Sequence, residues 1–147
     1  MKRKFLTCLL ASLALFNFGF EPNADASVAG ARLRAYEIAA KMRAAGYTFV
    51  DGSSGLLRKG EISGLIKASL IKGNTYALVA GGCEDAYDVD VIVYDENGNV
   101  IGEDSDTAPV AVVENITPAW TGDFFVRVRM YDCTSNGAHY VLLLGRK

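Results

Sequence analysis

From Tyr47 onward the chain breaks into short apolar runs, with a turn residue or cluster every 8 to 12 positions. This punctuation leaves no room for a second helix of ordinary length. The runs read as strands at 47–50, 61–70, 75–80, 88–94, 99–102, 110–116, 123–131 and 138–144. Gly52-Ser-Ser-Gly55 reads as a loop, Lys72-Gly73-Asn74 as a turn, and Asn97-Gly98 as the tip of a hairpin. Strands in series without intervening helices must bury one face against other strands. The expected class is therefore all-β, a sandwich or barrel of about eight strands.

Alternation assigns the faces. In Asp88-Val-Asp-Val-Ile-Val-Tyr94, the residues Val89, Val91 and Val93 point inward, and Asp88, Asp90, Ile92 and Tyr94 point outward. In the later strand, Phe124, Val126, Val128 and Met130 share one face, and Phe125, Arg127, Arg129 and Tyr131 the other. If these strands are neighbours, the outward acids pair with the outward arginines.

Ahead of the strands, Val28–Ala45 reads as one helix. It is rich in alanine, Ser27 serves as N-cap, and Gly46 as the stop. Its expected apolar stripe runs through Leu33, Tyr36 and Ala40, beside Val28, Ala35 and Ala39.

The first 26 residues read as a secretory signal: Lys2, Arg3 and Lys4, an apolar run from Phe5 to Phe20, and Ala24-Asp25-Ala26 for cleavage. That segment is short for a membrane span, and no later stretch is long and apolar enough. The expected product is exported, to the periplasm or beyond, and spans no membrane after cleavage. Its half-apolar composition suits a folded core. Cys83 and Cys133 then lie in an oxidising compartment, where an even pair reads as a disulfide.

Charge is segregated along the chain. Residues 27–72 carry +5, residues 73–126 carry −11 with no base, and residues 127–147 carry +3. Such polarity means either an acidic face or segments of one fold pairing with each other. It argues against nucleic acid as a partner.

Asp85, Asp88, Asp90, Asp104 and Asp106 form the candidate metal set. Calcium is the cofactor they would take, since hard cations need several oxygen ligands. An EF-hand is excluded, because Gly98 falls too early after Asp95. The same acids would otherwise cap turns and solvate an edge. Tyr94, Trp120, Phe125 and Tyr131 are the candidate ligand-binding rings, able to stack on a sugar or hold a peptide. An outer face covered by the N-terminal helix explains the same residues and is the blander reading. His139 is the one histidine and falls within a strand, and no Gly-x-Ser-x-Gly elbow is present, so no catalytic residues are expected.

Several of these residues together resemble a known family. Gly73-x-x-Tyr-x-Leu-Val-x-Gly-Gly-Cys83, Asp88-Val-Asp90 with the Asp95-x-x-Gly98 turn, and Thr121-Gly122-x-Phe-x-Val-Arg127 through Cys133 resemble the bacterial pre-peptidase C-terminal (PPC) domain. The likeness covers about residues 57–144. It implies a jelly-roll-like antiparallel β-sandwich spanning 47–147, here behind one N-terminal α-helix at 27–46. It also implies a non-catalytic module that binds or assists a partner, an envelope protein or a glycan. The family is usually appended to proteases, so the resemblance implies an accessory role beside such an enzyme.

Overall fold

The computed structural model describes residues 27–147. The expected signal segment, residues 1–26, lies outside the described residues. Helix α1 spans Val28–Met42 and closes in a 3-10 turn, Arg43–Ala45. The strands are β1 (Thr48–Leu57), β2 (Ile66–Leu70), β3 (Tyr76–Gly82), β4 (Ala86–Tyr94), β5 (Val100–Asp104), β6 (Val110–Ile116), β7 (Gly122–Cys133) and β8 (Ala138–Arg146).

They form two four-stranded sheets, β1-β8-β3-β6 (sheet A) and β2-β7-β4-β5 (sheet B). Every pairing is antiparallel. This order is the jelly roll, two Greek keys folded face to face. Val89, Val91, Val93, Phe124, Val126, Val128 and Met130 fill the space between the sheets, each at most 1% exposed. The inward residues that alternation assigns to β4 and β7 are therefore the buried ones, although the outward Asp88 and Asp90 are buried too.

Two expected boundaries change for a tertiary reason. Gly52–Gly55 is not a loop. It lies inside β1, because β8 pairs along the whole of that segment and a bulge between Asp51 and Ser53 absorbs the extra residue. The strand expected from Glu61 begins as regular sheet only at Ile66. Ahead of it, Ser63 still follows β7: its N–H donates to the Val128 carbonyl (2.8 Å), and its Oγ accepts from the Val128 N–H (3.0 Å).

Ser27 caps α1 through the Gly30 N–H, and Gly46 ends the turn at φ 91°. The expected stripe was wrong, since Leu33 is 60% exposed. The buried face is instead a ladder of small residues, Ala31, Ala35 and Ala39, spaced i, i+4. Small side chains win because the helix lies directly on β3. A Cβ at Gly81 would stand 2.6 Å from the Ala31 carbonyl oxygen and 2.7 Å from the Ala35 nitrogen. Arg34 fastens one end, donating to the carbonyls of Gly82 (2.9 Å) and Cys83 (2.8 Å). Asp51 of β1 fastens the other side, paired with Arg32 (3.1 Å) and accepting from Tyr36 Oη (3.0 Å).

Candidate functional site

Because α1 covers sheet A, it cannot cover the outer face of sheet B. The rings of that face are therefore not helix-packing residues. Register builds the surface row by row. Phe125 sits between Lys67 and Tyr94, and Arg127 opposite Ile92. The β4–β5 turn rises at the edge of these rows. Leu65, Tyr94, Phe125 and Arg127, with Asp95, Glu96 and Gly98 of the turn, enclose a groove of about 310 Å³.

The turn that walls the groove is held by Asp95. Its carboxylate accepts from the Asn97 N–H (2.9 Å), the Asn99 N–H (2.8 Å) and Asn99 Nδ2 (2.8 Å). The Asn99 side chain and these backbone donors hold the Asp95 carboxyl below its ordinary pKa. Gly98 adopts φ 83°, which the turn requires.

The four expected ligand rings do not form one row. Tyr94 and Phe125 are a direct cross-strand pair in the groove. Tyr131 lies two pairs beyond Arg127 on β7, 52% exposed, beneath the Arg129 guanidinium at 4.7 Å. Trp120 leaves the outer face altogether and stacks on the inward Phe124, centroids 5.4 Å apart. Leu65 and Arg127 were not foreseen in the groove. Alternation places Arg127 on the same face as Phe125, but the two-residue spacing of the acids on β4 suggests an acid as its partner.

The acids also divide. The expected pairing of Asp88 and Asp90 with Arg127 and Arg129 holds for one pair only, Asp90–Arg129 at 4.0 Å. Asp88 lies opposite Asp132 at an irregular step of the ladder, which removes it from the arginine row. Asp88 and Asp90 are both 5% exposed, and Asp88 Oδ1 has no hydrogen-bond partner. Burial, then the neighbouring Asp88, raises the Asp90 carboxyl above its ordinary pKa, against the pull of Arg129. Arg127 enters none of the ion pairs among the described residues.

Among the described residues no three His, Cys, Asp or Glu side chains are placed together to hold a metal ion. The set Asp85, Asp88, Asp90, Asp104 and Asp106 is therefore not assembled as calcium ligands. Asp104 shows why: its oxygens accept from the Asp106 N–H (3.0 Å) and the Val112 N–H (2.6 Å), tying the β5–β6 loop down. Of the acidic stretch, Glu84, Asp90 and Asp123 pair with bases from the other segments, to Arg34, Arg129 and Lys67.

The expected Cys83–Cys133 disulfide is not present; both are free, buried thiols. They do lie at one end of the sandwich, but each sulfur is turned to the backbone. Cys83 Sγ accepts from the His139 N–H and Cys133 Sγ donates to the Thr134 carbonyl, both at 3.3 Å. Burial is the main cause that pushes the Cys133 thiol above its ordinary pKa. His139 sits in β8 opposite Leu56, with Nδ1 buried and without a hydrogen-bond partner.

No protein-family model and no curated protein matches the chain. Among solved structures it is similar to PliG of Aeromonas hydrophila, a periplasmic inhibitor of g-type lysozyme. That likeness has 14% identity, covers 69% of this chain and 86% of that one, and has a TM-score of 0.47. It is also similar to the carbohydrate-binding module CBM36, solved with calcium and xylotriose. There the identity is 16%, the coverage 68% and 99%, and the TM-score 0.40. At these values neither likeness transfers a ligand or a residue role.

Proposed function

We propose that the protein is an exported, non-catalytic binding module whose ligand surface is the outer face of sheet B. One observation carries the reading. The helix that would have covered an aromatic sheet face lies on sheet A, so the Tyr94–Phe125 pair is left in an open groove. A cross-strand aromatic pair costs little conformational entropy to present and offers an apolar surface. Polar groups around it, Arg127 and Glu96, can fix the orientation of what it holds.

A glycan fits this platform better than an envelope protein. The groove is shallow, and it lies on a sheet face where the backbone groups are already paired with neighbouring strands. Beneath the rings, β7 and β4 are central strands with no free ladder edge for a peptide to extend; the edges of this sheet are β2 and β5. His139 is read as structural: it sits in β8 opposite Leu56, and its Nδ1 is buried. The PPC resemblance, where the module accompanies an enzyme, fits a role beside a separate chain at the envelope.

The test is chemical-shift mapping of the purified protein against soluble cell-wall and capsular glycans. Perturbations are expected over β2, β7 and β4, and are expected to disappear in Tyr94→Ala/Phe125→Ala. Both rings are only half-buried, so that variant should stay folded, losing about 1 kcal/mol. Shifts confined to sheet A, or binding indifferent to the double substitution, would refute the assignment.

A further inference from the structure

We propose that the groove takes a carboxylated glycan, with Arg127 holding the sugar carboxylate while Tyr94 and Phe125 stack on the ring. The inference rests on the binding-module reading and gives its ligand a chemical class.

Most charges in and around the groove are already engaged. The Asp95 carboxylate accepts three hydrogen bonds within its own turn. Lys67, next to Phe125, is occupied by Asp123 at 3.2 Å. Arg129, one outward position beyond Arg127, faces Asp90 and lies over Tyr131. Arg127 differs from both neighbours. Its cross-strand partner is Ile92, and Leu65 lines the same groove; both are apolar, and no described acid pairs with Arg127. It is also half-buried rather than free in solvent.

A guanidinium stays charged at any pH the protein meets, and its planar fork matches a carboxylate in two parallel hydrogen bonds. Placed among apolar side chains, it is partly stripped of water, so an arriving anion is screened less than at an exposed lysine. The groove floor therefore presents a positive fork beside two aromatic rings. Glu96 stands on the opposite wall, exposed, where it can accept from sugar hydroxyls and repel a carboxylate entering the wrong way round. Uronate-type sugars carry the complementary features on one ring: a flat C–H face, hydroxyls, and a carboxylate at one end.

Affinity electrophoresis tests this with oligosaccharides of polygalacturonate and alginate, each run beside its carboxyl-reduced, neutral counterpart. Wild-type protein is expected to bind at least one acidic form about tenfold or more tightly than its reduced form. The preference should fall toward unity in Arg127→Gln and be only partly kept in Arg127→Lys, which retains charge without the fork. It should also weaken as salt is raised. Tyr94→Ala/Phe125→Ala should abolish binding of both forms.

Equal affinity for acidic and reduced forms, with loss in the aromatic variant, would overturn the carboxylate assignment and leave the binding face standing. Binding untouched by all the variants would overturn both. A peptide with a free C-terminal carboxylate competing as well as the uronate would move the site to a protein partner. No binding of any of the four polymers would remove the acidic glycan, while shift mapping with other glycans still decides the face.

Discussion

Gly81→Ala is the sharpest test of the architecture that leaves sheet B open. The added methyl group would lie 2.6 Å from the Ala31 carbonyl oxygen, 2.7 Å from the Ala35 nitrogen and 2.9 Å from the Ala35 Cβ. The first two are helix backbone, which cannot rotate away as a side chain could. The protein then has two responses. It can keep the helix seated and accept overpacking, at about 1–3 kcal/mol. Or it can lift the helix and expose Ala31, Ala35 and Ala39, now 0% exposed. Three methyl groups at about 0.8 kcal/mol each place that alternative near 2.4 kcal/mol before Val28, Ile38 and Met42 are counted. Alanine is better than glycine inside a strand by roughly 0.5–1 kcal/mol, which offsets part of the loss. The net expectation is a destabilisation of about 1–2 kcal/mol. For a domain of this size that is a fall in Tm of roughly 3–10 °C, read by far-UV circular dichroism on heating. Gly64→Ala is the control: no atom lies within 4 Å of its added Cβ, and its Tm should move by no more than about 2 °C. A Gly81→Ala protein that melts with wild type would show that α1 does not rest on β3, and the case for an uncovered sheet B would fall with it.

Other outcomes follow from the same geometry. The Asp90 carboxyl has a raised pKa, so its contribution to stability is complete below the unfolded value of 3.8 and is lost as pH rises through the folded one. Asp90→Asn should therefore gain on wild type between pH 3.5 and 7 in paired melting curves; a constant difference would mean that Asp90 is well solvated. Asp95 is the opposite case. Its lowered pKa makes its contribution present above 3.8 and lost as pH falls through the folded value, so Asp95→Asn should be less stable at pH 7 and converge with wild type in acid. Because Asp95 holds the groove wall, that variant should also bind sugar more weakly at neutral pH. Calcium at about 1 mM should leave Tm at its EDTA value. A calcium-specific rise of several degrees, as from binding of about 2.7 kcal/mol at a hundredfold excess over Kd, would mean that Asp88 and its neighbours close around an ion after all.

Much of the candidate site was visible in the sequence as separate parts. Tyr94 and Phe125 were both marked, because each falls on the polar side of an alternating strand. Arg127 was placed on the correct face and given the wrong role. It was assigned an aspartate because Asp88 and Asp90 occur at the same two-residue spacing as Arg127 and Arg129. The real register sets Arg127 against Ile92, and a ladder irregularity beside Asp88 moves that acid out of line. Leu65 could not be foreseen, since it belongs to a segment whose neighbour is decided some sixty residues later: Ile66 pairs with Val126.

Short-range physics is what the sequence determined alone. Alternation at period two assigned the inner valines of β4 and the inner residues of β7. A serine cap and a glycine stop bounded α1, and turn residues spaced the strands. Tertiary structure decided every relation between distant segments. It decided that α1 lies on sheet A, through the fit of an alanine ladder over Gly81, and that the aromatic face of sheet B is therefore free. It decided that five aspartates spread over two strands and two loops do not converge, and that two cysteines at one end turn their sulfurs to the backbone. A local pattern fixes which way a side chain points from its own strand. What it meets there depends on register and on packing between layers, and those are set only when the whole chain closes.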